Sequence, residues 1–194
     1  MSKINDMLKQ LCPNGVEFQE LKDVCTFKRG STITSKDVVE GDVPVIAGGQ
    51  KPAYFHNIAN RFGETISVSS SGAYAGFVNF WTTPVFLSDS FSVDPDENKL
   101  IKKYVFYFLK NIQDKIYATK KGGGVPHVHG SNLAKFKIPV PPLDIQREIV
   151  RILDNFTELE AELEAELEAR KKQYEFYRDK LLNFNNINTP PTLK

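Results

Sequence analysis

The stretch LDIQREIVRILDNFTELEAELEAELEARKKQYEFYRDKLLNF, residues 143–184, contains no glycine and no proline. Pro141 and Pro142 stand directly before it, and proline suits the first turn of a helix, where its missing N–H needs no partner. Apolar side chains then follow in alternating steps of four and three, the spacing of a coiled-coil seam. These positions are Ile145, Ile149, Ile152, Phe156, Leu159 and Leu163. We therefore expect a helix over residues 142–184, roughly 60 Å long at about 1.5 Å per residue.

The seam continues beyond Leu163 after one irregular step. Leu167 follows by four residues, and the alternation of three and four resumes at Arg170, Tyr174, Tyr177, Leu181 and Phe184. Such an extra step is a stutter, which locally unwinds a supercoil. A long helix with a single apolar stripe needs a partner helix. We expect the interface to consist of Ile149, Ile152, Phe156, Leu159, Leu163, Leu167, Tyr174 and Leu181.

The charges along this helix predict the direction of the partner. Residues 142–168 carry nine acids and two bases, whereas residues 169–181 carry five bases and two acids. A parallel self-pair would place acid beside acid, and an antiparallel self-pair places each acidic part near a basic part. We therefore expect an antiparallel homodimer with two-fold symmetry. The alternative is an acidic, solvated helix packed on its own domain.

The residues before the helix have a different pattern, with short β-type runs between Gly, Pro, Asn and Ser. Helices are expected at residues 3–11, 100–118 and 131–134. Six strands are expected at 25–28, 44–47, 65–69, 76–80, 85–87 and 91–93, with a further extended run at 136–140. The predicted fold class is α+β: a domain of helices and short strands over residues 1–141, a long C-terminal coiled-coil helix over 142–184 and a flexible tail over 185–194.

Composition narrows the function classes. The chain is 41% hydrophobic, but no run of 18 apolar residues occurs, which argues against a membrane span, and the first residues lack the apolar core of a signal peptide. Two cysteines without metal-site spacing fit a reducing, cytoplasmic location. Residues 1–143 hold 17 basic and 13 acidic residues, a surplus of +4 that permits a polyanionic partner.

Motifs for catalysis, metals and cofactors are absent, so no catalytic residue, metal or cofactor is expected. No phosphate-binding P-loop and no Gly-x-Ser-x-Gly turn occur. His127 and His129 could share one side of a strand, but a metal site needs a further ligand nearby. Asp96 and Glu97 are too close in sequence to act as two separate metal ligands of a nuclease.

Four loops combine basic, hydroxyl and aromatic side chains. Lys and Arg suit phosphates, and Arg, Gln, Asn, His and Tyr suit base edges. Each loop alone resembles an ordinary solvated loop, but their repetition in one domain favours nucleic-acid binding. The candidate DNA-binding residues are Lys28, Arg29, Ser31, Lys51, Tyr54, Arg61, Ser70, Tyr74, Lys120, Lys121, Gly123 and His127.

Several of these segments together resemble the specificity (S) subunits of type I restriction–modification systems. The junction into the long helix carries the resemblance most specifically, through KGGG (121–124), SNL (131–133), FKIPVPPLDIQREI (136–149) and ILD (152–154). Upstream, the similar motifs are VEF (16–18), LKDV (21–24), KRG (28–30), TISVS (65–69), GAYAGFV (72–78) and SD (88–89). One departure is Ile145, which replaces the usual Glu before Gln146.

The resemblance implies a target-recognition domain that binds double-stranded DNA, followed by a spacer helix. Members of the family carry two such domains, so this chain resembles a half-subunit whose two copies would read a bipartite palindrome. The implied partners are a DNA methyltransferase (modification) subunit and a motor–nuclease (restriction) subunit, which would hold the catalytic centres. Two other classes stay open on the residues alone: a small metal-dependent nuclease using Asp94, Asp96 or Glu97, and a coiled-coil adaptor that does not bind DNA.

Overall fold

The computed structural model describes residues 2–122 and 124–183. It divides into two compact units, residues 1–150 and 151–194, and each is described by itself. The elements in chain order are α1 (Ser2–Leu11), β1 (Phe18–Glu20), α2 (Leu21–Val24), β2 (Cys25–Arg29), β3 (Val43–Ile46), β4 (Tyr54–His56), β5 (Thr65–Ser69), β6 (Val78–Trp81), β7 (Phe86–Leu87), β8 (Ser90–Pro95), α3 (Lys102–Asn111), α4 (Gln113–Tyr117), α5 (Gly130–Leu133), β9 (Lys137–Pro139) and α6 (Leu143–Leu182).

The main sheet has the strand order β2-β8-β5-β6, and all of its neighbours are antiparallel. Along β5 and β8 the residues alternate, because successive side chains of a strand point to opposite faces. One face carries Ile66, Val68, Phe91 and Val93, which belong to the main hydrophobic core together with residues of α3 and α4. This layer of helices on one face of an antiparallel sheet is the predicted α+β arrangement.

The opposite face of the same strands carries buried serines, and their hydroxyls are hydrogen-bonded. Ser67 accepts from Trp81 Nε1 at 2.8 Å, and Ser90 donates to the carbonyl of Ile46 at 2.8 Å. Ile46 belongs to a second, three-stranded sheet of order β4-β3-β7. Because every buried hydroxyl finds a partner, this polar face can be covered by the second sheet at little cost in desolvation.

A two-stranded sheet of β1 and β9 joins the beginning of the domain to the beginning of α6. Gln146, in the first turns of α6, is fully buried. Its Nε2 donates to the carbonyls of Lys99 and Pro141, both at 2.8 Å, and its Oε1 accepts from the amide of Ile101 at 2.9 Å. The first turns of α6 are thus fixed within residues 1–150.

Most predicted elements are present, with shifts of a few residues at their ends. The helix expected over 100–118 is two helices, because Ile112 leaves the helical region (φ −103°, ψ 19°). The next residue, Gln113, bonds through its side chain to Gly76 and Val78. The short elements β1, α2 and β4 were not predicted. None of the described helices is long and apolar enough to cross a membrane.

Cys25 is buried, and its burial raises the pKa of the thiol to about 12, with a smaller contribution from the nearby Asp94 carboxylate. A thiol in such surroundings stays protonated at neutral pH and packs as a small apolar residue. Cys25 is accordingly a member of the main core. The tail expected at residues 185–194 lies outside the described residues.

Candidate nucleic-acid interface

Three strand ends of the main sheet lie at one edge. β2 ends at Arg29, β5 ends at Ser69 and β8 begins at Ser90. Because β8 is antiparallel to both neighbours, Arg29 pairs with Phe91 and Ser69 with Ser90, so these three ends are adjacent. Residues that follow or precede these ends in sequence are therefore brought together in space.

The loops at this edge form what we call the loop cluster, residues 29–33, 47–51, 70–74, 87–89, 120–122 and 124–131. Ser31 N donates to the carbonyl of Leu87 at 2.9 Å, and Ser70 N to the carbonyl of Asp89 at 3.0 Å. The segment 124–131 is joined to the same cluster, since Val128 N donates to the carbonyl of Ser70 at 2.9 Å. Ser69 Oγ adds segment 47–51 by a bond of 3.3 Å to the carbonyl of Gly49.

Two clefts open within the loop cluster, and Arg29 and Ser70 line both. The first, the Arg29 cleft, has a volume of about 330 Å³. It is polar, since its other linings are Gly30, Thr32, Ser88 and Asp89. The second, the His129 cleft, has a volume of about 390 Å³ and adds His129, Ser131 and the rings of Phe27 and Phe91. Hydroxyl, guanidinium, imidazole and carboxylate groups therefore converge at one place.

The structure brings most of the predicted DNA-binding residues to this cluster. Arg29 and Ser70 line the clefts, and Ser31, Lys51, Tyr74, Lys121 and His127 lie in the surrounding loops with exposed side chains. The His127 ring stacks on His129 with centroids 6.1 Å apart and planes 7° apart. Gly123 lies outside the described residues.

Two predicted residues have structural partners, and a third lies on a strand outside the loop cluster. Lys120 Nζ donates to the carbonyl of Ala73 at 3.1 Å and lies 4.3 Å from the centre of the Tyr117 ring. Lys28 forms an ion pair with Asp94 at 3.4 Å, although its side chain remains exposed. Tyr54 lies on β4 of the second sheet and was expected in a loop. Lys120 and Lys28 therefore support the fold around the cluster. Their ammonium groups are partly engaged by these contacts and can bind a ligand only in addition to them.

Arg61, predicted to contact DNA, is instead hydrogen-bonded within the fold. Its Nε donates to Ser92 Oγ at 2.9 Å and its Nη1 to the carbonyl of Asn60 at 2.8 Å. Its Nη2 donates to the carbonyls of Lys28 and Arg29, each at 3.0 Å. A guanidinium occupied in this way connects strands β2 and β8 and has few donors left for DNA. Arg61 is therefore a structural residue.

Other residues of the clefts were missing from the predicted set. Ser88, Asp89, His129 and Ser131 line the clefts but were not proposed as DNA contacts. The position of Asp89 in the cluster follows from the antiparallel pairing of β8 with β2 and β5, which no local motif encodes.

The carboxylates proposed for the nuclease alternative are engaged elsewhere. Asp94 pairs with Lys28, Asp96 accepts from the amide and side chain of Asn98, and Glu97 pairs with Lys102 at 3.5 Å. Within residues 2–122 and 124–183, no group of three acidic, His or Cys side chains could hold a metal ion. These contacts give the nuclease alternative no support.

The second unit presents an apolar groove along α6. Phe156, Leu159, Leu163 and Leu167 line it beside Glu160 and Glu164, with a volume of about 520 Å³. Phe156 is 66% exposed, Leu163 58% and Leu167 55%. Ile149 was expected in the interface with a second helix, but it packs against the main core of residues 1–150. Ile145 is fully buried there. Ile152 is half-buried, and the exposed part of the seam begins at Phe156.

Residues 13–169 match the family of the type I restriction modification DNA specificity domain, and the chain belongs to this family. The EcoR124I/EcoR124II specificity subunit of Escherichia coli is 47% identical over 96 residues, which cover 46% of this chain and 23% of that subunit. The resemblance inferred from the sequence, to the specificity subunits of type I restriction–modification systems, is thereby confirmed.

Two solved structures share the fold. The S subunit of a type I restriction–modification system from M. genitalium superimposes with a TM-score of 0.70 at 24% identity, covering 88% of this chain and 47% of that chain. The HsdS subunit from Thermoanaerobacter tengcongensis gives 0.61 at 18% identity, covering 84% and 44%. The chain spans less than half the length of each of these relatives. Both confirm the α+β class with a long C-terminal helix.

Proposed function

We propose that this chain is a DNA-recognition subunit of a type I restriction–modification complex that contacts double-stranded DNA through the loop cluster. The observation that carries the proposal is the convergence of separate loops with donors and acceptors at one sheet edge, in a chain of the specificity-domain family. Lys51, Lys121 and the loop amides suit phosphates, which fix the position of the duplex. Arg29, His127 and the cleft hydroxyls suit base edges, which carry sequence information.

The chemistry would belong to the partners. A DNA methyltransferase subunit and a motor–nuclease subunit would act where this chain binds, in the cytoplasm, while the chain itself needs no cofactor. A variant of the loop cluster is therefore expected to change the place of methylation, and not the rate of methyl transfer on a bound site. Contacts of Asp94, Asp96 and Glu97 with other side chains or loop amides disfavour the alternative of an intrinsic nuclease.

We further propose that α6 pairs with α6 of a second copy, antiparallel. Exposing the apolar surface of the groove residues to water costs about 25 cal/mol per Å². A partner helix that buries this surface is therefore stabilising. The groove carries Glu160 and Glu164 on its rim, and residues 169–181 carry five bases. An antiparallel second copy supplies these bases beside the acids.

The spacing of the seam also supports this direction. Reading outward from the stretch 164–169, the seam positions on the two sides match: Leu163 with Arg170, Leu159 with Tyr174, Phe156 with Tyr177 and Ile152 with Leu181. Each pair is equally far from the centre, which lies beside Leu167. In an antiparallel pair with this centre, each of these residues lies opposite the other member of its pair, so the two seams meet along their length. The stutter then lies on the two-fold axis.

The DNA-binding claim is tested by titrating the purified chain onto a random-sequence duplex at increasing salt. Phosphate binding predicts that the logarithm of affinity falls linearly with the logarithm of salt concentration. Lys121→Glu should weaken binding and reduce the slope by about 1. Lys9→Glu, which removes the same charge from exposed α1, serves as the control and should leave the slope unchanged.

Two outcomes would contradict the proposal. Absence of binding even at low salt would favour the coiled-coil adaptor. Magnesium-dependent cleavage of the duplex that disappears in Asp96→Ala would favour the nuclease.

A further inference from the structure

Arg29 and Asp89 line the same cleft, which opens at the edge of the main sheet. Both side chains are exposed, yet they do not pair with each other. Within the described ranges, the Arg29 guanidinium has no hydrogen-bond acceptor and no ion-pair partner. Ser71 Oγ donates to Asp89 Oδ2, and Asp89 Oδ1 has no donor among the same residues. Among the described residues, the cleft therefore offers an unengaged donor fork and an unengaged acceptor oxygen that are not paired with each other.

The backbone beneath both residues is fixed by hydrogen bonds. Arg61 Nη2 holds the carbonyls of Lys28 and Arg29, each at 3.0 Å. A Cβ at the next residue, Gly30, would lie 2.3 Å from the carbonyl oxygen of Leu87, so only glycine fits there. On the other side, the carbonyl of Asp89 accepts from Ser70 N at 3.0 Å. Because the backbone beneath both side chains is already fixed, binding a ligand costs only the rotamer freedom of the side chains themselves.

We propose that Arg29 and Asp89 together read one G·C base pair of the DNA half-site. Arg29 donates both arms of its guanidinium to guanine O6 and N7, and Asp89 Oδ1 accepts from N4–H of the paired cytosine. This inference rests on the proposed function and names the chemistry of its recognition step. Arg61 does not contact the base pair. It is a positioning residue, because its Nη2 holds the carbonyl of Arg29.

The presence of Asp89 distinguishes a base edge from a phosphate as the ligand. A phosphate carries only acceptors and negative charge, so a phosphate bound to Arg29 in this cleft would be repelled by the Asp89 carboxylate. The major-groove edge of G·C places two acceptors on one base and a donor on the other, which matches guanidinium plus carboxylate. An A·T pair places an acceptor and a donor on one base and a single acceptor on the other, and the match is lost.

The experiment maps methylated adenines across the genome of a host that expresses the chain with its modification subunit. The wild-type chain gives the reference motif. Arg29→Ala and Asp89→Ala should relax the motif at the same G·C position of each half-site, raising methylation of sites with another base there roughly ten- to a hundred-fold. Arg29→Lys keeps the charge but loses the fork, so it should relax that position while preserving the salt slope of binding. Lys9→Ala is the control and should leave the motif unchanged.

Three results would overturn the inference. These are an unchanged motif in both alanine variants, relaxation at different positions in the two variants, and an equal loss at all positions. If Arg29→Ala abolishes methylation, competition binding with duplexes altered one base pair at a time decides between these results, with thermal unfolding as the check on folding. Failure of the proposed function looks different, because the wild-type chain would then direct methylation to no defined motif.

Discussion

Arg61 and Arg29 both stand among basic and polar residues in the sequence, but their side chains have different surroundings in the structure. Arg61 directs its donors inward, to Ser92 and to the carbonyls of Asn60, Lys28 and Arg29. Arg29 directs its guanidinium into an open cleft. At this scale, the partners of a side chain decide whether it supports the fold or faces a ligand.

Arg61→Ala is expected to lower the free energy of unfolding by about 2 kcal/mol, because hydrogen bonds from a charged donor are lost and acceptors at the end of β2 are left without partners. Urea denaturation measures the change. Arg147→Ala is the matched control, since Arg147 makes one exposed ion pair with Asp144 and should change stability by less than about 1 kcal/mol. Equal losses in the two variants would contradict the structural role of Arg61.

The sequence predicted residue types better than residue roles. Arg29 and Ser70 were identified from their loops and lie in the clefts, whereas Arg61 was identified by the same reasoning and is structural. Local sequence cannot distinguish them, because the acceptors of Arg61 come from strands 31 to 33 residues away. Asp89 was missed for the related reason that its neighbours are set by strand pairing.

Among the elements, α6 was the most predictable. A run of 42 residues without glycine or proline, with a seam of alternating threes and fours, depends on local spacing alone, and the structure has a helix over Leu143–Leu182. Three-residue strands such as β1 and β4 have too few positions to show alternation, and they exist because distant residues pair with them. The spacing of apolar residues did not predict that Ile149 of α6 packs against the main core.

Leu167→Cys tests the pairing of α6 at the scale of the element. Because the centre of the seam lies beside Leu167, this residue should meet its own counterpart in the second copy and form a disulfide-linked dimer on oxidation. A control cysteine at Leu181 is opposite Ile152 in the same arrangement, far from its own counterpart, and should not cross-link to itself. Both variants should also carry Cys12→Ser, so that the introduced cysteine is the one that forms the intermolecular disulfide, since Cys25 is buried. Efficient cross-linking at both positions would indicate a parallel pair in register, and cross-linking at Leu181 alone or at neither position would contradict the proposed antiparallel register.

Leu159→Asp with Leu163→Asp tests the same pairing by removing its apolar contacts. Two carboxylates in the groove cannot be buried against a partner helix without a large cost of desolvation, so the protein should become monomeric. Sedimentation velocity measures the change, and a dimer that persists in this variant would contradict pairing through α6.

At the scale of the whole molecule, the family membership, the loop cluster and the exposed seam address different parts of one function. The loop cluster is where a half-site would be read, and the seam is where a second copy would be added. Two identical recognition domains related by a two-fold axis would read the same half-site in opposite orientations. The target would then be a palindrome whose halves are separated by unread base pairs.

The most direct test is the methylation map of a host in which this chain is the only specificity subunit supplied to the modification subunit. We expect methylated adenines within one bipartite, palindromic motif that disappears when the chain is withheld. Methylation at an unchanged motif without the chain would contradict its role in recognition, and a motif lacking two-fold symmetry would contradict the pairing of two identical copies.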